Sequence, residues 1–172
     1  MIPKIKSVLY ATDLSKNSAY AFRYAVNSAQ KHDATIHILH VIEPISPQAR
    51  AHVLMFINEE KLNQLHHNSK EKLHQGIEDR LKQFAERELK EDHDTLKRIV
   101  GIHLIEGDPA TEILNKADEL KCDTIIMGTH GKGALSHAFL GSVSEKVLRH
   151  IRKPVYIIPL PKGEKDLNLR EI

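Results

Sequence analysis

The residues best equipped for chemistry lie in the run Met127-Gly128-Thr129-His130-Gly131-Lys132-Gly133, followed after a short interval by Gly141-Ser142-Val143-Ser144. The run grows out of Thr124-Ile125-Ile126-Met127, an apolar and β-branched stretch with the length of a fully buried strand. A strand therefore delivers a glycine-rich turn. Beyond the turn, residues 141–148 read as a helix start, with Ser142 or Ser144 able to cap it and Val143, Val147, Leu148 and Ile151 forming an inward stripe. Unpaired amides and the positive end of the helix dipole favour an anion at such a terminus, and glycines remove the Cβ atoms that would hold a phosphate away from the backbone. The simplest ligand for this arrangement is the phosphate chain of a nucleotide.

The spacing excludes two common phosphate loops. Gly128 and Gly133 have the separation of a Walker loop, but Ala134-Leu135 stands where Lys and Ser or Thr are required. Gly131-x-Gly133-x-x-Ser136 lacks the third glycine of a dinucleotide fingerprint and comes late in the chain. Asp13 is a second candidate, because it falls at the carboxyl end of the first strand, where open α/β sheets bind ligands. A carboxylate there can hold a ribose hydroxyl or a divalent cation carried by phosphates, or it can order the turn. Lys132 can contact a phosphate, while His130 can move a proton or simply order the loop. A catalytic role would need an aligned water and a base, so no catalytic residue is assigned.

Alternating strands and helices must position these groups. Residues 5–11 form a first strand, and Thr12-Asp13-Leu14-Ser15 turns into a helix through about residue 32, capped by Ser15 and packed through Ala19, Phe22, Val26 and Ala29. Residues 35–42 are the second strand, whose His37 and His40 fall on opposite faces and so make a poor metal pair. Both are read as structural or solvent-facing. Residues 44–57 carry the cluster Val53, Leu54, Met55 and Phe56, which could be a lid, a partner surface or, as the simplest reading, a short buried helix. Residues 58–92 then form a long amphipathic helix on Leu62, Leu65, Leu73, Ile77, Leu81 and Phe84. Unbroken it would run to roughly 50 Å, so an overhang or a break near Asn68 or Gly76 is expected. His67 and His74 lie two turns apart on it without a third ligand, and are read as a solvated face. Residues 99–105 are the third strand. Asp108 at N-cap and Pro109 at N1 start the next helix, with Ala110, Ile113, Leu114, Ala117 and Leu120 buried. After the glycine-rich loop and its helix, residues 154–158 make the last strand.

Composition sets the broad class. The 172 residues are one domain by length, residues 1–161, with a flexible polar tail over residues 162–172. A hydrophobic fraction of 41% is enough for a sizeable core, and a formal net charge of +2 gives no concentrated basic footprint for nucleic acid. Cys122 stands alone and is most simply a buried apolar residue. Neither a secretion signal nor a stretch long enough to span a bilayer is present, so a cytoplasmic protein away from membranes is the expectation.

Five strand–helix repeats imply an α/β fold, a single-domain open parallel sheet with helices on both faces and right-handed crossovers. The spacing Gly-x2-Gly-x9-Gly-Ser at Gly128, Gly131, Gly141 and Ser142 resembles the ATP-binding branch of the universal stress protein family. Tyr10-Ala11-Thr12-Asp13-Leu14-Ser15, His40-Val41 and Glu106-Gly107-Asp108-Pro109 carry the same resemblance. It implies a Rossmann-like five-stranded sheet of order 3-2-1-4-5, which sets the loops after the first and fourth strands side by side. It also implies that the backbone around Ala11 and Val41 brackets adenine, with Thr12 in the same nucleotide-binding turn and Asp13 by the ribose, the phosphates and a Mg2+ or Mn2+ ion. Gly128, Gly131 and Gly133 would wrap the ribose and phosphates, with Met127, His130 and Lys132 in the same nucleotide-binding loop, and Gly141, Ser142, Val143 and Ser144 would take phosphate oxygens. Ala11 departs from the proline common there. The implied function is a regulatory module of the stress response that binds ATP, or ADP or AMP, as a homodimer joined through Val155–Ile158. Two other functions stay open: a slow, metal-dependent ATP hydrolase or phosphoryl-transfer enzyme, and a non-catalytic interaction scaffold.

Overall fold

The computed structural model describes residues 2–130, 140–161 and 172. Strands β1 (Ser7–Ala11), β2 (Thr35–Ile42), β3 (Ile99–Glu106), β4 (Thr124–Gly128) and β5 (Val155–Ile158) form one parallel sheet in the order β3-β2-β1-β4-β5. Helices α1 (Lys16–His32), α2 (Pro47–Leu54), α3 (Glu59–Glu88), α4 (His93–Leu96), α5 (Pro109–Glu119) and α6 (Ser142–Arg149) connect the strands. The order runs outward in one direction from β1 to β3 and in the other from β4 to β5. A gap therefore opens above the carboxyl ends of β1 and β4.

Burial on both faces explains why the strands read as continuous apolar runs. Val8, Tyr10, Ile36, Ile38 and Ile126 pack against Phe22 of α1 and against Leu81 and Phe84 of α3. The alternate residues Leu9, Leu39, Ile125 and Met127 pack against Ile113 and Ala117 of α5 and Val147 of α6. Ring contacts at 5.2 Å between Tyr10 and Phe22 and at 5.1 Å between Phe22 and Phe84 tie β1 through α1 to α3. The Tyr10 hydroxyl donates to the Ser18 carbonyl at 2.6 Å, so a fully buried phenol keeps a partner, and burial pushes its pKa upward. The predicted caps form: Ser15 accepts from the Ser18 amide, and Asp108 from the Thr111 amide at 3.1 Å. Cys122 is buried as expected. No described helix is long and apolar enough to cross a membrane.

Helix α3 runs unbroken for 30 residues, about 45 Å, so of the expected overhang or break it is the overhang that is realised. Gly76 faces open space, and its propensity cost of about 1 kcal/mol is small beside the anchorage of Leu81 and Phe84 one to two turns on. Residues 47–54 are helical but contribute no buried side chain, Met55 and Phe56 are 75% and 77% exposed, and α2 meets the start of α3 through Arg50, which donates to Glu59 at 2.9 Å. Leu73 and Ile151, read as inward-facing, are both exposed by about half. Of the polar tail only Ile172 is described; it is buried, its amide donates to the Leu14 carbonyl at 3.2 Å and its carbonyl accepts from Arg80.

One pairing across the sheet was not anticipated. His37 on β2 and His103 on β3 meet with Nδ1 and Nε2 3.1 Å apart. Gly101 makes the room, since a Cβ there would lie 2.8 Å from His103 Nε2. Burial holds both imidazoles below their ordinary pKa, and for His103 the nearby His37 and Lys116 add to it while Glu119 opposes it. The unfolded chain therefore takes up protons more readily than the folded one, so stability is full above about pH 6.5 and falls as the pH drops through the depressed folded values. The thermal midpoint is expected to fall between about pH 7 and about pH 5, and a His37→Gln/His103→Gln variant to show a shallower fall in the same thermal melts.

Candidate functional site

The turn after β1 is built from its own side chains. The Thr12 hydroxyl accepts from the Leu14 amide at 3.0 Å and donates to Ser18 Oγ at 2.9 Å, and Asp13 Oδ1 accepts from the Ser15 amide at 3.1 Å and the Ser15 hydroxyl at 2.6 Å. Leu14 takes a left-handed φ of 67°, a conformation that a branched side chain adopts at a cost of roughly 1–2 kcal/mol, and its burial holds it there. The sharp turn sets Asp13 at the gap. His40 Nδ1 lies 2.8 Å from the Thr12 carbonyl, so this nitrogen carries the proton and binds the end of β2 to the same turn.

The end of β4 is held from three sides. The Thr129 amide donates to the Ile158 carbonyl at 3.1 Å, and the Thr129 carbonyl accepts from the Gly141 amide at 2.8 Å. Ser144 Oγ lies 3.0 Å from both the Gly128 and the Thr129 carbonyls and shares its single proton between them. From α1, Asn17 Nδ2 donates to Thr129 Oγ1 at 3.2 Å and to the His130 carbonyl at 3.0 Å. His130 Nδ1 lies 2.9 Å from Thr129 Oγ1. Neither Ser142 nor Ser144 caps α6: the N-cap is Gly141, without a side-chain cap bond, and the buried Ser144 turns its hydroxyl to the two half-buried carbonyls at the end of β4. The first-turn amides of α6 therefore face the gap without a hydroxyl over them.

These parts enclose a cavity of about 730 Å³ above the carboxyl ends of the strands. Of the residues singled out from sequence, Ala11, Thr12, Asp13, Val41, Met127, Gly128, His130, Gly141, Ser142, Val143 and Ser144 line it. Gly131, Lys132 and Gly133 lie outside the described residues. Its polar lining includes Asp13, His130, Ser142, Ser144 and the start of α6, and its apolar lining Ala11, Leu39, Val41, Ile113 and Met127. Leu73 and Ile77 of the overhanging α3 close one flank, and Ser18, His40, Ile42, Glu43 and Pro109 complete the wall. Sequence reasoning missed Asn17 and these α3 contacts. A polar side chain in the first turn of a helix is unremarkable on its own, and only the fold puts it against residues 112 and 113 positions away. Among the described residues no group of three or more His, Cys, Asp or Glu side chains is arranged to hold a metal ion.

A doubly wound parallel sheet with a cleft at the reversal of strand order defines an α/β ligand-binding domain. The chain belongs to the universal stress protein family, which it matches over residues 4–159. It is 32% identical over 162 residues to universal stress protein MJ0531 of Methanocaldococcus jannaschii, covering 92% of this chain and 85% of that one. Universal stress protein MJ0577 of the same organism is 29% identical over 153 residues, covering 89% of this chain and 94% of that one. Its solved structure superposes with a TM-score of 0.69, covering 94% of this chain and all of that one at 25% identity. The fold of the universal stress protein UspA from Lactobacillus plantarum matches with a TM-score of 0.65, covering 91% of this chain and 99% of that one at 22% identity.

Ser144 is the side chain that joins β4 to α6. Ser144→Ala leaves the Gly128 carbonyl without its donor and is expected to lower the unfolding free energy by about 1–3 kcal/mol in urea denaturation, with the slope unchanged.

Proposed function

We propose that the cleft binds an adenine nucleotide, ATP or its ADP and AMP counterparts, and that the protein acts as a homodimeric regulatory module of the stress response. The observation that carries this reading is one cavity whose wall holds both apolar side chains, Ala11, Leu39, Val41, Ile113 and Met127, and the start of α6, which has no side-chain cap, with Gly128. A flat base fits the first and phosphates the second. The Ser142 hydroxyl and the amides of Ser142 and Val143 would meet phosphate oxygens, the Gly141 amide being held by the Thr129 carbonyl, and Asp13 would supply a carboxylate to a divalent cation such as Mg2+ or Mn2+ carried on them. Charge neutralisation and orientation of the phosphates is the chemistry such an ion supplies. A universal stress protein solved in complex with cAMP shares the fold, with a TM-score of 0.52 at 21% identity over 91% of this chain. Dimerisation is supported by β5, which ends the sheet and exposes Tyr156 by about half along an apolar edge.

A scaffold role draws on a different observation, the exposed Met55 and Phe56 beyond α2. The two readings part at the cleft. Protein purified without added nucleotide, then denatured, is expected to release adenine nucleotide identifiable by chromatography and mass spectrometry. Gly141 has an extended backbone (φ −65°, ψ 155°) that valine also adopts, so Gly141→Val adds a branched side chain at the cavity wall without backbone strain. Loss of ATP binding with the dimer retained in that variant is the expected result, and unchanged affinity would remove the nucleotide from the site. A slow hydrolase would show itself as sustained, metal-dependent ADP release that Asp13→Ala abolishes; the regulatory reading expects no such sustained release.

A further inference from the structure

We infer that Asn17 is the positioning residue of the nucleotide cleft: it holds the start of the glycine-rich loop in place, and Gly128 is a glycine to make room for it. The inference rests on the nucleotide reading of the cleft. Asn17 is the second residue of α1, where an asparagine side chain ordinarily stays in solvent, yet here it is only 7% exposed. Both of its donors go to the loop, one to Thr129 Oγ1 and one to the His130 carbonyl. The amide orientation follows from the second bond, because exchanging Nδ2 and Oδ1 would set oxygen against the His130 carbonyl oxygen. In the orientation that results, Oδ1 is buried and accepts from no described atom. Among the described residues Oδ1 goes without a donor while both Nδ2 donors stay on residues 129 and 130, an arrangement that places the loop at the expense of pairing every polar atom.

Gly128 supplies the second, independent observation. A Cβ built there would lie 3.0 Å from both Asn17 Cγ and Nδ2 and 3.2 Å from Oδ1. The neighbour is a side chain pinned by two hydrogen bonds, so it cannot swing aside without releasing the loop. The sequence pattern assigns this glycine to close approach of a phosphate, whereas in the folded protein the space beside it is filled by the Asn17 amide. Asn17 thus couples two halves of the site. It leaves the first turn of α1, two residues after the Ser15 cap that also bonds Asp13, and ends on the loop that follows β4. A shift of the loop relative to that turn would move the anion-receptive end of the cavity relative to the base slot.

The test is a double-mutant cycle read by calorimetric titration of Mg2+-ATP at a temperature where every variant is folded by circular dichroism. Asn17→Leu keeps the approximate shape, removes both donors and adds no charge; Gly128→Ala displaces the amide; Thr129→Val removes one acceptor and serves where Asn17→Leu fails to fold. Asn17→Leu and Gly128→Ala are each expected to weaken ATP binding by about tenfold, and the double variant to be no weaker than the worse single one, since both release the same contact. Amide hydrogen exchange at residues 128–130 is expected to speed up in the same variants with no nucleotide present, a readout that a general loss of stability would spread over the whole sheet. Wild-type affinity in folded Asn17→Leu, or strictly additive losses in the double variant, would overturn the role of Asn17 while the nucleotide reading stands. A wild-type protein that takes no Mg2+-ATP overturns that reading, and the positioning role falls with it.

Discussion

Two carbonyls at the end of β4, those of Gly128 and Thr129, govern the arrangement of the site. A buried strand that stops must still find partners for its last peptide groups. Here the sheet no longer supplies them all, and the donors come from α6, through the Gly141 amide and the Ser144 hydroxyl. That requirement fixes where α6 begins and how it is turned. Because Ser144 is committed inward and Gly141 stands at the cap, the first amides of the helix are left facing the cavity. The anion-receptive end of the cleft is thus a by-product of satisfying the end of a strand.

The turn after β1 obeys a similar economy. Asp13 lies at the gap and at the same time accepts two hydrogen bonds from Ser15, so its carboxylate orders the turn while lining the cavity. The structural and the functional readings of this residue do not compete. Local strain at Leu14 is held by burial on the side of the sheet that carries α1 and α3, and the Ile172 amide closes onto the same residue. The site therefore draws its rigidity from the core beneath it, through Tyr10, Phe22 and Phe84.

The segment between β2 and β3 follows a looser rule. The later turns of α3 join the main core cluster through Ile77, Leu81 and Phe84, while α2 contributes no buried side chain. Lys70 and His74 of the overhang both approach Glu106 at the end of β3, at 3.0 Å and 3.7 Å. A partly exposed ion pair of this kind contributes little to stability, about 1 kcal/mol at most. The same stretch of the helix brings Leu73 and Ile77 to the cavity wall.

What the chain alone determined was whatever depends on neighbours in sequence. Short apolar, β-branched runs and period-3.6 patterns located the strands and helices, Ser15 and Asp108-Pro109 marked helix starts, and the glycine spacing together with a family likeness marked the cleft and the strand order. Local patterns carry that information because hydrogen bonding within a turn and burial along one face act over a few residues. Tertiary structure alone decided the rest. Whether Ser144 caps a helix or binds strand carbonyls depends on a chain segment 15 residues earlier, and the partners of Asn17 and of His37 lie 112 and 66 residues away. The continuity of α3 and the exposure of Met55 and Phe56 were likewise undecided by pattern, since an apolar side chain is buried only where the fold brings a surface to cover it.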